Sequence, residues 1–165
     1  MKRGAVLILM GILGFILISG NQHSKKTNKE KPNIKSESPS IGIQFIQSEW
    51  SKVIEMAADE DKLIFVDLYS TACKPCRIMA QTVFTDSLVG HYFNQHFINV
   101  SYHFRNSSSG RYLKEKFTLN TYPTFYLIDQ HERLVQQSTG IQTPIELIAM
   151  GQKAIEQNKK APNSF

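Results

Sequence analysis

Two cysteines that lie two residues apart, directly after an apolar segment, constrain this chain more than any other feature. Cys73 and Cys76 are the only cysteines among its 165 residues. Residues 63–69 (LIFVDLY) are long and apolar enough for a buried strand, and residues 77–84 have the apolar spacing of a helix. Two thiols at this spacing form either a redox pair or half of a metal site. The order of strand, CxxC turn and helix favours the redox pair.

The expected local geometry gives the two thiols different roles. The first thiol would lie at a helix N-terminus, where unpaired backbone N–H groups and the helix dipole stabilise a thiolate. Cys73 is therefore predicted to be the attacking sulfur. Cys76, one helical turn further and more enclosed, is predicted to resolve the mixed disulfide. Pro75 is compatible with a first helical turn, and Lys74 adds a positive charge beside the thiolate.

Two other interpretations of the cysteines are open at this stage. A purely structural disulfide would close a very small loop, and such a loop stabilises a fold only slightly. A zinc or copper site is the second alternative. Structural zinc requires four ligands, which only histidines could complete here. His91 and His96 are five residues apart, so they would lie on different faces of a helix. Neither alternative explains the preceding strand and the following helix as well as a redox pair does.

Five short motifs follow one another in an order that is typical of one protein family: residues 65–67 (FVD), 73–76 (CKPC), 83–86 (VFTD), 122–125 (YPTF) and Gly140 before a last helix. Residues 47–157, which contain them, resemble the thioredoxin-like family. The resemblance is greatest to bacterial envelope thiol-disulfide exchange proteins, including the C-terminal domain of the transmembrane disulfide reductase. It implies an α/β fold, a thioredoxin-like three-layer sandwich with a central mixed sheet.

The resemblance also implies roles for three further residues. Asp67, six positions before Cys73, would be the buried carboxylate that assists proton transfer to and from Cys76, and burial should raise its pKa. Pro123 would be the cis-proline that faces the disulfide, and Tyr122 would offer backbone groups to a bound substrate strand. From the residues alone, the alternative for Asp67 is a solvated or merely hydrogen-bonded strand residue.

Two features depart from the family pattern. Many members have tryptophan before the first cysteine and glycine after it, whereas this chain has Ala72 and Lys74. The rim of the site should therefore be smaller and more cationic. Residues 97–104 are predicted to form a strand that contains no lysine. Thioredoxin itself places a lysine there, facing the buried acid, so that partner of the proton relay is missing here.

The charged residues separate an N-terminal region from the domain. Residues 1–40 contain seven Lys/Arg and two Asp/Glu, a net charge of +5, whereas residues 41–165 contain twelve of each and are neutral. A neutral domain argues against a nucleic-acid-binding face. We expect three parts: residues 1–20 as a signal peptide or membrane anchor, 21–40 as a disordered polar linker, and 41–160 as the thioredoxin-like domain.

The first twenty residues predict an extracytoplasmic location. Lys2 and Arg3 precede an uncharged apolar run of 17 residues, which is at the short end for a membrane span. The positive start should remain cytoplasmic and send the domain outward, into the bacterial periplasm or envelope. Residues 17–20 (LISG) fit a cleavage site poorly, which favours an uncleaved anchor over a removed signal.

The remaining segments predict the scaffold. Ser48 should cap a helix that extends to about Asp59, Thr85 or Asp86 should begin a second helix, and residues 143–144 should open the last one. Further strands are expected at residues 98–104, 124–128 and 134–138, the last two joined by a polar turn.

The sequence as a whole predicts a thiol-disulfide oxidoreductase. It should exchange a dithiol and a disulfide with protein partners, as a monomer with no cofactor, metal or nucleic acid. The catalytic residues would be Cys73, Cys76 and Asp67, and the substrate-binding residues Tyr122, Pro123 and Lys74. The direction of electron flow is not encoded in these motifs. The alternative is a membrane-tethered binding module for extended peptides or a metal-bearing client, without redox turnover.

Overall fold

The computed structural model describes residues 41–160 of the chain, so the segments predicted as residues 1–20 and 21–40 lie outside the described residues. Among residues 41–160, helical segments and strands alternate up to a β-hairpin, and a last helix follows the hairpin. A single π-helical turn, Met79–Val83, continues directly from α2. The elements are α1 (Trp50–Glu60), β1 (Leu63–Tyr69), α2 (Lys74–Ile78), α3 (Ser87–His96), β2 (Phe97–His103), α4 (Ser108–Lys116), β3 (Thr124–Ile128), β4 (Leu134–Thr139) and α5 (Pro144–Lys160).

The four strands form one mixed sheet in the order β2-β1-β3-β4. β1 pairs with β2 in parallel, with Tyr69 opposite His103, and with β3 in antiparallel fashion, with Leu68 opposite Thr124. Thr124 in turn lies opposite Thr139 of β4. β1, β2 and β4 therefore finish, and β3 begins, at the same end of the sheet, which we call the CxxC end because the cysteine turn follows β1 there.

Helices cover both faces of this sheet. One apolar cluster packs Val53 of α1 and Leu113 of α4 against one face, and a second packs Phe93 of α3 and Leu147 of α5 against the other. Successive side chains of β1 enter the two clusters alternately, so the strand is buried on both sides and its sequence is almost continuously apolar. The predicted α/β fold with a central mixed sheet is confirmed.

One predicted helix cap is wrong. α1 begins at Trp50, and no side chain of the preceding residues caps it. The Trp50 main-chain N–H donates instead to the Ser109 hydroxyl of α4, over 3.0 Å. Ser48 has another role, because its carbonyl accepts a hydrogen bond from the Tyr102 hydroxyl. A tertiary contact thus supplies the partner that the sequence pattern placed within the same segment.

The other two helix starts are as predicted. The Asp86 carboxylate accepts from the N–H groups of Leu88 and Val89 and caps α3. Thr143 and Glu146 bond each other reciprocally at the start of α5, which is the pattern of a capping box. Within residues 41–160, none of the helices has the length and apolar character needed to span a bilayer.

Candidate active site

Cys73 and Cys76 are joined by a disulfide at the CxxC end of the sheet. Their Cα atoms are 5.3 Å apart. Cys73 is the residue that precedes α2, with extended backbone geometry, and Cys76 lies in the first turn of that helix. The main-chain N–H of Cys76 points at the Cys73 sulfur over 3.1 Å. A backbone donor and the start of a helix therefore face the Cys73 sulfur, and both favour a negative charge there.

The two sulfur-bearing residues differ in burial. Cys76 is only 6% exposed, whereas Cys73 is half-buried. Pro75 occupies the first turn of α2, where its missing N–H costs no intrahelical hydrogen bond. An incoming sulfur would therefore reach Cys73 far more easily than Cys76.

Asp67 lies beneath this turn as a buried carboxyl group on β1. It is 6% exposed, and its Oδ2 accepts a hydrogen bond of 2.8 Å from the hydroxyl of Ser101, the residue opposite it on β2. Loss of solvation raises the pKa of Asp67 to about 7, against the smaller lowering effect of the Ser101 hydrogen bond. The described fold therefore contains a buried carboxyl that can hold or release a proton near neutral pH.

Asp67 and Cys76 line the same cavity, which has a volume of about 630 Å³. Most of its wall is apolar, with the rings of Phe45 and Phe84 among its lining groups, and Ser101 lines it as well. The buried acid, its hydroxyl donor and the buried sulfur thus line one cavity, which is open to solvent on one side. Such a space could hold the water molecules that carry a proton between an acid and a thiol.

The Tyr122–Pro123 peptide bond is cis. Pro123 is buried and its carbonyl accepts the Gly140 N–H over 2.9 Å, while the Tyr122 ring stacks on Phe104 with ring centroids 4.6 Å apart. Thr124, the next residue, lies opposite Leu68 near the end of β1. The cis bond therefore lies at the CxxC end of the sheet.

The rim of the disulfide is open and cationic. Ala72 and Lys74 are both exposed. Arg77 is also exposed, and its guanidinium donates to the carbonyl of Thr71 over 3.1 Å. The absence of a tryptophan at position 72 therefore leaves a small, positively charged surface beside Cys73.

Ser101 and Arg77 were not identified from the sequence as site residues. Ser101 could have been found only from the register of two parallel strands, which places it opposite Asp67. Arg77 directly follows Cys76, but nothing in its sequence context marks it. Conversely, within residues 41–160 no group of three or more His, Cys, Asp or Glu is placed to hold a metal ion. His91 is exposed and His96 packs against the ring of Tyr92.

Comparisons with known proteins agree with this geometry. The family model Thioredox_DsbH, described as a protein of unknown function (DUF255), matches residues 43–105. The thiol-disulfide oxidoreductase ResA of Bacillus thuringiensis is 26% identical over 162 residues, covering 86% of this chain and 88% of ResA. The solution structure of a proposed disulphide-isomerase from Bacteroides thetaiotaomicron is 33% identical, with a TM-score of 0.62, over 71% of this chain and 96% of that one.

A more distant structure shares the fold. The oxidised C-terminal domain of DsbD from Neisseria meningitidis is 17% identical, with a TM-score of 0.53. The match covers 63% of this chain and 91% of that domain. The fold is therefore found in proteins whose sequences have diverged widely.

Proposed function

Because the chain belongs to the thioredoxin-like family of thiol-disulfide oxidoreductases, we propose that its Cys73–Cys76 pair exchanges electrons with the disulfides or dithiols of protein partners. The observation that carries the proposal is the pairing of an accessible sulfur at the start of α2 with a buried one in its first turn. A structural disulfide has no need of this asymmetry, whereas a two-step exchange uses both positions.

In the reducing direction, the reaction begins with the dithiol form. The Cys73 thiolate attacks one sulfur of the client disulfide, the client S–S bond breaks, and the released client thiolate takes up a proton. The Cys76 thiol then loses its proton and attacks the Cys73 sulfur, which breaks the mixed disulfide and releases the second client thiol. The client gains two electrons and two protons, and the Cys73–Cys76 disulfide forms. Every step reverses when the partner is the better reductant.

Asp67 is the proposed acid and base for Cys76. Resolution requires the buried Cys76 thiol to lose a proton beside a mostly apolar cavity, and Asp67 lines that same cavity. A pKa of about 7 means that both protonation states are populated at neutral pH, so the group can accept a proton in one direction and return it in the other.

The client strand is proposed to lie along Tyr122 and Pro123. Among the hydrogen bonds of residues 41–160, none uses the main-chain N–H or carbonyl of Tyr122. These groups are therefore available to an extended peptide, which could add to the sheet end by main-chain hydrogen bonds. Lys74, exposed beside Cys73, would meet the same peptide on its other side.

The proposed location is extracytoplasmic. The cationic start at Lys2 and Arg3 and the following 17-residue apolar run support an export signal or anchor, and the polar residues 21–40 support a tether. Disulfide-bearing clients are common in the bacterial envelope, so this location would suit the proposed activity.

Turnover separates this proposal from the binding-module alternative. The full-length chain in a neutral detergent is mixed with a reductant and a disulfide-bonded protein, and release of thiols is followed. Accelerated release that disappears in the Cys73→Ser/Cys76→Ser double variant supports the oxidoreductase. If the wild-type chain gives no acceleration, and the double variant still binds the client as tightly as the wild type, the chain is a binding module.

Lys74 is expected to stabilise the Cys73 thiolate. Lys74→Glu should raise the pKa of the Cys73 thiol, because a nearby anion disfavours a second negative charge. The effect is limited by solvent screening, over about 10 Å at 0.1 M salt, because Lys74 is exposed. Destabilising the thiolate makes the disulfide harder to reduce, by roughly 10–30 mV for this two-electron couple.

The measurements are the pH dependence of Cys73 alkylation in a Cys76→Ala background and the glutathione equilibrium of the intact pair. Lys153→Glu is the matched control, because it makes the same charge change at an exposed position on α5. An unchanged or lowered Cys73 pKa in the Lys74→Glu protein would show that the helix start alone sets the thiolate.

A further inference from the structure

Positive charge is concentrated at the CxxC end of the sheet. Five basic residues lie on the segments that leave this end, in the cysteine turn and α2, in the turn after β2, and on the following helix α4. We call them the basic face. They are Lys74, Arg77, Arg105, Arg111 and Lys114.

Contacts hold three of the long basic side chains at this end. The ring of Phe104, directly after β2, has the Arg105 guanidinium 5.0 Å and the Lys114 ammonium 5.1 Å from its centroid. The Arg111 guanidinium donates to the carbonyl of Arg105 over 2.8 Å. The Phe104 ring also stacks on Tyr122, the residue before the cis-proline. This part of the basic face therefore adjoins Tyr122, along which the client strand is proposed to lie.

No ion pair among the described residues neutralises the basic face. The five ion pairs of residues 41–160 use Lys52, Lys62, Lys116, Arg133 and Lys160. Three carboxylates lie on or beside these segments: Glu115, exposed on α4 and in none of those ion pairs, Glu49, which contacts the start of α4, and Glu146 in the first turn of α5. Glu49 accepts hydrogen bonds from serine hydroxyls of α4, and Glu146 from Thr143.

The charge is asymmetric rather than a property of the whole domain. Residues 41–165 contain twelve basic and twelve acidic residues, so their net charge is zero. Five of the twelve cations lie on the basic face, whereas three acids follow one another at Asp59–Asp61, where α1 leads into the other end of β1. A neutral domain with a locally positive reactive end attracts anions to that end.

We propose that the basic face binds an acidic segment of the client protein, rich in Asp and Glu, that flanks the reacting cysteine. The inference rests on the proposed function, because it names the chemistry of the partner at the same site. The position of the face favours a protein over other anions. Lys74 and Arg77 lie on the helix that carries Cys76, and Arg105 and Lys114 lie over the ring of Phe104, which stacks on Tyr122 before the cis-proline. A peptide that reached both the sulfur and Tyr122 would therefore pass near both pairs of cations. Exposed charges of this kind chiefly raise the rate of association and select the partner.

The test compares three disulfide-bonded peptides that differ only in their flanks, which are acidic, uncharged or basic. The second-order rate constant for oxidation of the reduced full-length chain in neutral detergent is measured in a single turnover. At low ionic strength the acidic peptide should react about tenfold faster than the uncharged one, and the basic peptide more slowly. The preference should fall to about twofold or less in 1 M salt, where screening acts over about 3 Å.

Two double variants of equal net charge locate the effect. Arg105→Gln/Lys114→Gln should lower the acidic-to-uncharged rate ratio about threefold or more at low salt. Lys153→Gln/Lys159→Gln removes two exposed cations that no described ion pair uses. They lie about 14 and 22 Å along the helix axis from the first residue of α5, which starts at the CxxC end. This variant should therefore leave the ratio unchanged.

The outcomes separate this inference from the proposed function. If none of the peptides reacts with the wild-type chain, the proposed function fails. If the uncharged peptide reacts but the ratio is near one, or if both double variants lower the ratio equally, the basic face does not select acidic clients. A ratio near one, together with inhibition by anionic but not zwitterionic vesicles that the Arg105→Gln/Lys114→Gln protein escapes, would assign the face to a membrane surface instead.

Discussion

Cys76→Ser should convert the protein into a covalent trap for its clients, whereas Cys73→Ser should capture almost none. In the first variant the accessible Cys73 still attacks a client disulfide, but no second thiol remains to break the mixed disulfide. In the second variant the remaining sulfur belongs to Cys76, which is 6% exposed. We expect about tenfold more adduct from Cys76→Ser than from Cys73→Ser, and no turnover from either.

The measurement is the amount of mixed disulfide after exposure to a disulfide-bonded protein, separated under non-reducing conditions and released by reductant. The double variant serves as the blank. Equal capture by the two single variants would mean that burial does not assign the roles. Faster alkylation of Cys76 than of Cys73 in the reduced wild-type protein would reverse the assignment.

Asp67→Asn should stabilise the folded protein above neutral pH and have little effect in acid. The pKa of Asp67 is raised by burial to about 7 in the fold, from 3.8 when the group is solvated. Below 3.8 the carboxyl is protonated in both states, so its ionisation costs nothing. As the pH rises from 3.8 to about 7, the unfolded state loses this proton while the folded state keeps it, so stability is lost over that range and the loss is complete above about pH 7. The difference is on the order of 4 kcal/mol.

Asparagine cannot ionise but can still accept the Ser101 hydrogen bond, so it should remove this loss. The free energy of unfolding of the oxidised full-length chain is measured for both proteins between about pH 4 and 9. Subtracting the two curves removes the contribution of every other titrating group. The difference should grow with pH in favour of the variant. Parallel curves, or a more stable wild type at high pH, would show that Asp67 is solvated in the fold.

Ser101→Ala tests how far the Ser101 hydrogen bond contributes to the pKa of Asp67. The Ser101 hydroxyl donates to Asp67 and lowers its pKa, although less than burial raises it. Without that donor the carboxylate is harder to form, so the loss of stability should continue to higher pH than in the wild type and be larger in total. In the Asp67→Asn/Ser101→Ala protein the extra pH dependence should vanish. If Ser101→Ala acts equally with and without Asp67, its effect is one of packing.

The features that local pattern determines could be predicted from the sequence. β1, the CxxC turn and the start of α2 follow directly on one another, so apolar spacing and the preference of proline for a first helical turn are sufficient. The cis bond before Pro123 is different, because no periodicity encodes it. It was expected only through the family resemblance, and the fold contains it.

Features that depend on tertiary contacts could not be predicted in this way. α4 (SSGRYLKEK) is mostly polar, and Leu113 is its one fully buried large side chain. The apolar spacing that would predict this helix is therefore weak. For the same reason the partner of the first N–H of α1 was missed, since it is Ser109 of α4 and lies 59 residues further along the chain. The partner of Asp67 depends on strand register, which apolar runs of similar length do not specify.

The basic face shows why net charge is an incomplete guide to a partner. Counted along the chain, residues 41–165 are neutral, which correctly argues against a general phosphate-binding surface. The five cations are spread from Lys74 to Lys114 and are brought to one end only by the parallel pairing of β1 and β2. A neutral total can therefore conceal a charged reactive end.

The most direct test of the account is a mass balance on a single exchange. Fully reduced full-length chain is mixed with an equimolar disulfide-bonded protein, the reaction is stopped with acid, and the intact masses of both proteins are measured. The chain should lose two hydrogen atoms and the client should gain two. Fragmentation should place the new bond between Cys73 and Cys76. Unchanged masses with both a more oxidising and a more reducing client would contradict the account, because a redox pair must exchange with one of them.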